Sequence, residues 1–122
     1  MKVELENVKP MEIEKRSFEI ITEELGDKQL LPGTELIVKR CIHTSADFDY
    51  AETMCYSDHA VEIAKELILK GADIVTDTNM ALAGINKKIL ASFGGEAHCF
   101  MADLDVAQLA RERQVTRATI SM

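Results

Sequence analysis

The chain has 122 residues, a formal net charge of −7, 47% hydrophobic residues and no Trp. That length fits one domain with an aliphatic core, and the acidic balance argues against nucleic acid as a partner, because affinity there comes mostly from phosphate neutralisation by Lys and Arg. No run approaches the roughly 18 apolar residues of a membrane span, and Met1–Glu6 alternates charge instead of opening a basic-then-apolar leader, so a soluble cytoplasmic protein is the expectation.

Pro10 fits the first position of a helix, with Glu12 and Glu14 favourably placed near its N-terminus. Ile13, Phe18, Ile21 and Leu25 recur at helical spacing, and Gly26 supplies a stop. Leu31-Pro32-Gly33 reads as a turn. Thr34 can cap a second helix reaching about Thr44, although β-branched Ile37-Val38 leaves a strand as a competitor. Asp47–Tyr56 reads as a loop feeding a short strand. Ser57 or Asp58 caps a helix through Val61, Ala64, Leu67 and Ile68, ended by Gly71. Ala72–Thr76 is a short apolar strand leading into Asp77-Thr78-Asn79. Asn86–Phe93 reads as a helix, Gly94-Gly95 as a turn and Ala97–Ala102 as a second buried strand. Asp103 or Asp105 starts a helix through Val106, Leu109 and Ala110, and Thr116 caps a further one.

Helix, glycine, apolar strand, polar loop and helix again is the βαβ pattern. It predicts a three-layer α/β/α fold with a mainly parallel sheet, all in a single domain over residues 1–122. Such sheets need both faces covered. Two clear strands and one ambiguous strand are thin for that, so the sheet is expected to be incomplete in this chain.

The densest chemistry lies in Lys39–Phe48, which packs two cations, a thiol, an imidazole, two hydroxyls and a carboxylate into ten residues. It ends an apolar run, so His43 is expected to be partly shielded from water yet reachable by a ligand. The competing reading of His43 is a satisfied histidine at a helix end. Activation of Cys41 or Ser45 by His43 fails on geometry, because residues two apart on a helix do not face one another. Asp77-Thr78-Asn79-Met80 follows a strand, where α/β sheets bind ligands, but it also reads as a polar capping turn. No G-x-G-x-x-G or G-x-x-x-x-G-K cradle is present for a nucleotide. Cys41, Cys55 and Cys99 read as reduced thiols in or near the core. With His43, His59 and His98 they match no common zinc spacing, so no metal site is expected. His59, in the first turn of its helix, and His98, in a buried strand, lack polar company and read as structural.

Taken together, Glu14-Lys15-Arg16-Ser17-Phe18-Glu19-Ile20-Ile21, Lys39–Phe48, Gly71–Ala81, Gly84-Ile85-Asn86-Lys87 and Thr116-Arg117-Ala118 resemble the precorrin-8X methylmutase family, also called cobalt-precorrin-8 methylmutase or precorrin isomerase. The pieces stand in family order along the whole chain. The form Ile-His-Thr-Ser-Ala-Asp-Phe looks more like the cobalt-dependent branch. The resemblance implies an isomerase of cobalamin biosynthesis that moves a methyl group from C11 to C12 of a corrin ring. It implies His43 as the catalytic acid. It also implies Arg16, Ser17, Thr44, Thr78, Asn79, Met80, Lys87 and Arg117 as substrate-binding residues. Charge-assisted bonds from the cations would hold the many carboxylates of a corrinoid. No cofactor is implied, cobalt entering only as part of the substrate, and a homodimer with the site at its interface is. Lys88 and Arg111 read as solvated. The chain corresponds to roughly the N-terminal three fifths of the family's domain, within ordinary domain sizes. Two other readings stand beside the isomerase. One is a truncated, non-catalytic corrinoid-binding protein. The other is an oligomeric α/β structural or metal-binding protein, with the motif match incidental.

Overall fold

In the computed structural model the described residues are 7–122. They form two compact units, one ending at Val61 and the other spanning Glu62–Met122.

In the first unit, Pro10 opens a single 3-10 turn, Pro10–Glu12, that runs directly into helix α1, Ile13–Leu25. A proline at that point gives up an N–H that has no helical partner. Gly26, at φ 55, ends α1 and donates its N–H to the carbonyls of Thr22 and Glu23. Helix α2, Glu35–Ser45, follows the turn at Leu31–Gly33, so the helix prevails over the strand. Thr34 takes the cap position, but its hydroxyl donates to the Leu31 carbonyl at 2.6 Å and makes no side-chain cap bond.

Asp47–Tyr56 departs from the sequence reading. It holds one helical turn, α3, Tyr50–Thr53, and no strand. The cause is local. The Asp47 carboxylate accepts the Asp49 N–H at 2.9 Å, and the Phe48 and Asp49 carbonyls accept the N–H groups of Ala51, Glu52 and Thr53. The backbone is satisfied within the segment. The core of the unit lies between α1 and α2, where Ile21, Val38 and Ile42 are buried together. Leu25, Leu30, Phe48, Ala51 and Met54 pack against them. Val38 and Ile42 are one turn apart, so both reach the same neighbour. Lys28 and Glu52 form an ion pair at the edge. Cys55 is exposed, which corrects its expected place near the core.

Helix α4, Ala60–Leu69, leads into the second unit. The sequence reading puts His59 in its first turn. The residue lies just before it, exposed and left-handed at φ 57. Strands β1, Ile74–Val75, and β2, Ala97–His98, pair in parallel, with Ile74 opposite Ala97 and Val75 opposite His98. Helices α5, Asn79–Gly84, and α6, Lys87–Ser92, form the crossover that a parallel pair requires. The architecture is an incomplete α/β fold, mostly helical with a small parallel sheet. Both strands are shorter than the sequence suggests. Thr76 adds one rung through its N–H to the His98 carbonyl at 2.8 Å, but past Phe100 the chain turns, the Asp103 N–H bonding the Phe100 carbonyl at 3.0 Å. The loops entering the two strands touch. A β carbon on Gly95 would strike the Ala72 carbonyl, and one on Gly71, at φ 84, would meet the Phe93 carbonyl at 2.9 Å. Only glycine lets the backbones approach this closely. Helix α7, Leu104–Arg113, packs on α8, Arg117–Ser121. Thr116 caps α8 by accepting the Thr119 N–H at 3.2 Å, and Asn86 caps α6 by accepting the Ile89 N–H at 3.1 Å.

His98 does have polar company. Its Nε2 lies 3.1 Å from Asp73 Oδ2 and 3.9 Å from Glu96 Oε2, and its ring stacks on Phe100. Asp73 also accepts the Glu96 N–H at 2.8 Å, so one carboxylate ties the entry of β1 to β2. The Glu96 N–H first, then His98, hold the Asp73 carboxyl below its ordinary range. A carboxyl depressed on folding contributes stability above its unfolded pKa, near 3.9, and loses it as pH falls through the lower folded value. Asp73→Ala should therefore have a lower thermal midpoint than the parent at neutral pH. The gap should close on acidification below about pH 4. Calorimetry across that range checks it, and an equal gap at every pH would mean the carboxylate's charge plays no part.

Candidate active site

Helix α2 ends where Ala46 turns left-handed at φ 58, its N–H bonding the Ile42 carbonyl at 2.7 Å. Ser45 braces the exit. Its hydroxyl donates to the Cys41 carbonyl at 2.7 Å and accepts the Asp47 N–H at 3.1 Å. His43 stands in this last turn. It is exposed, not partly shielded, because Ile42 beside it takes the buried face of α2. Its imidazole lines a cleft of about 210 Å³ with Ser17, Ile21, Glu24, Ile42 and Phe48. The floor is therefore hydrocarbon, with an imidazole, a hydroxyl and a carboxylate available around it. The His43 ring stacks on Phe18, with centroids 5.8 Å apart. Nearby, Arg40 donates to Glu14 at 2.8 Å, and this bond holds the Glu14 carboxyl below the usual carboxylate range.

The structure brings His43 and Ser17 to one cleft and leaves Arg16 outside its lining. Arg16, half-buried, pairs with Glu19 at 3.5 Å and Glu23 at 3.8 Å. Thr44 donates its one hydroxyl proton to the Arg40 carbonyl at 3.0 Å, so it presents an acceptor to any ligand.

The remaining residues belong to the second unit. Thr78 caps α5 by accepting the Ala81 N–H at 3.1 Å, which keeps its own proton to donate. Asn79 and Met80 follow on the first turn, and Met80 is 86% exposed. Lys87 reaches back to the C-terminal end of α5, donating to the Leu82 carbonyl at 2.6 Å, its one side-chain hydrogen bond among the described residues. Arg117 opens α8, exposed, with no ion pair among the described residues. Lys88 and Arg111 are exposed, as expected. No group of three or more metal-ligating side chains occurs among the described residues. Sequence reasoning missed Glu14, Phe18 and Arg40 as neighbours of His43. The available signal was spacing: Glu14 and Phe18 are four apart, Arg40 and His43 three apart, so each pair shares a helix face.

The fold is an incomplete α/β fold, and an exposed imidazole stands at the apolar cleft of the first unit. A family model for precorrin-8X methylmutase matches residues 12–122, and the chain belongs to that family. The cobalt-precorrin-8 methylmutase of Priestia megaterium is 39% identical over 115 residues, covering 94% of this chain and 51% of that protein. That of Salmonella typhimurium is 40% identical over 114 residues, covering 89% and 54%. The crystal structure of the precorrin-8x methyl mutase from Thermus thermophilus matches with a TM-score of 0.75 at 33% identity, over 88% of this chain and 53% of that one. The chain spans about half the length of the curated relatives it matches. Family membership removes the reading in which the motif match is incidental. No helix among the described residues is long and apolar enough to cross a membrane.

Proposed function

We propose that this chain isomerises a corrinoid in cobalamin biosynthesis, moving a methyl group from C11 to C12 of cobalt-precorrin-8 or precorrin-8X to give cobyrinate or hydrogenobyrinate. The observation that carries the reading is family membership across residues 12–122. His43, exposed at its cleft, acts as the general acid. It lends a proton to the ring C nitrogen, which draws electron density from the conjugated system and lowers the barrier to migration. The bond from C11 to the methyl breaks as the bond to C12 forms, and the proton returns to the imidazole. Formula and oxidation state are unchanged, so the step calls for no redox or nucleotide cofactor. Cobalt enters only as part of the substrate. An imidazole suits the task because it holds and releases a proton near neutral pH.

Arg16, Lys87 and Arg117 bind the peripheral carboxylates of the corrinoid. Ser17, Thr78 and Asn79 add neutral donors, Thr44 an acceptor and Met80 an apolar contact. The chain's net charge of −7 repels such a substrate, so affinity rests on a few local cations. Affinity should therefore fall as salt rises from about 0.05 to about 0.5 M, measured by absorbance titration. A flat profile removes the cations from the reading. The active form is a homodimer with the site at its interface. Sedimentation equilibrium should give twice the 13.6 kDa chain mass, and a single-chain mass would end that part of the reading.

A second reading, a corrinoid-binding protein without turnover, is favoured by one observation: the chain spans about half of its relatives. Mixing the chain with excess cobalt-precorrin-8 separates the two. An isomerase converts the excess, whereas a binder shifts the absorbance bands only up to one equivalent. No spectral change would defeat both.

A further inference from the structure

An exposed histidine in the last turn of a helix has several rotamers open to it. A proton donor that samples them all is seldom aimed at its target, and small misplacements cost much of a positioned group's effect. His43 is held in place by a column of side chains. Its ring lies on Phe18 with centroids 5.8 Å apart and planes 27° from parallel, within the spacing that aromatic pairs prefer. The Arg40 guanidinium carbon sits 5.0 Å from the centroid of the same Phe18 ring, within range of a cation–π contact. Arg40 is fixed in turn by Glu14 at 2.8 Å. Glu14 and Phe18 come from α1, Arg40 and His43 from α2. Carboxylate, guanidinium, phenyl ring and imidazole therefore form one continuous chain of contacts across the pair of helices.

We propose that Phe18 is a positioning residue that sets the plane of the His43 imidazole, with the Arg40–Glu14 pair holding Phe18 in place. This rests on the reading of His43 as the acid. Phe18 itself need not touch the substrate. Its flat face confines the imidazole to one plane, so a ring edge, which carries the proton, points away from the stack. Aliphatic packing of similar volume would fill the space without fixing that plane, since a branched chain offers no flat surface to stack on.

The test uses the whole chain and two readouts. In the free protein the His43 Cε1 proton should move in the NMR spectrum of Phe18→Leu, because the ring current disappears with the ring. Turnover of cobalt-precorrin-8 by Phe18→Leu should fall about 10-fold or more in kcat with KM unchanged. Phe18→Tyr, which keeps the ring, should restore both signals, and Arg40→Met should give a smaller loss than Phe18→Leu. An unmoved His43 resonance in folded Phe18→Leu overturns the proposal. A moved resonance with unchanged kcat overturns the positioning role alone. Unchanged turnover in His43→Ala overturns the acid reading beneath it.

Discussion

Replacing His43 with alanine is expected to lower corrinoid turnover by about 10²–10⁴ while leaving the corrinoid bound, the span assigned to one positioned general acid. The two effects separate because different groups supply them. On the proposed reading, affinity comes from substrate carboxylates meeting Arg16, Lys87 and Arg117, which are separate side chains from the imidazole. On the same reading, the proton comes from His43. The substitution should be mild for the fold, since His43 is exposed and its removal opens no buried cavity. The lost stack on Phe18 is a surface contact. A drop in rate would therefore report chemistry and not unfolding. Stopped-flow absorbance with excess substrate gives the rate, and titration of the same variant gives the affinity. Near-normal turnover would end the assignment of His43 as the acid.

Local signals in the sequence carry most of the helical structure. Pro10 and Gly26 bracket the first helical segment, and Asn86 and Thr116 cap theirs, because each acts within a turn of its own backbone. The strands were less legible. Apolar runs at Ala72–Thr76 and Ala97–Ala102 say where a ladder can form, but its length depends on a partner's register and on the turn after Phe100. Helix α3 was hidden for a similar reason: the Asp47 side-chain bond that favours a turn there is one option among several for an Asp-rich stretch. His43 stood out because an imidazole among cations and hydroxyls is rare enough to notice. Its exposure did not, since which neighbour takes the buried face depends on how α2 rotates against α1. Phe18 read as one more core position at helical spacing, yet it is half-buried and faces His43 and Arg40. Contacts between helices are set by packing, and packing is the least local of these signals.

Ile42→Ala should be the most damaging single change to the first unit. Ile42 is 1% exposed and packs with Ile21 and Val38 in a small core. Truncating a buried isoleucine costs about 2–5 kcal/mol, part of it lost transfer energy and part the cavity left behind. A single core of this size rarely supplies more than about 3–5 kcal/mol of net stability. The loss is comparable to the whole, so α1 and α2 should separate and not merely loosen. Ile42→Val keeps most of the volume and should cost only about 0.5–1.5 kcal/mol. Because Ile42 also lines the His43 cleft, the pair distinguishes packing from chemistry. The valine variant should keep the His43–Phe18 stack and most turnover, and the alanine variant should lose both with its helical circular dichroism. Urea unfolding of the two variants measures the difference. An alanine variant within about 0.5 kcal/mol of the parent, the range of ordinary surface changes, would mean that Ile42 is not the keystone of the α1–α2 contact.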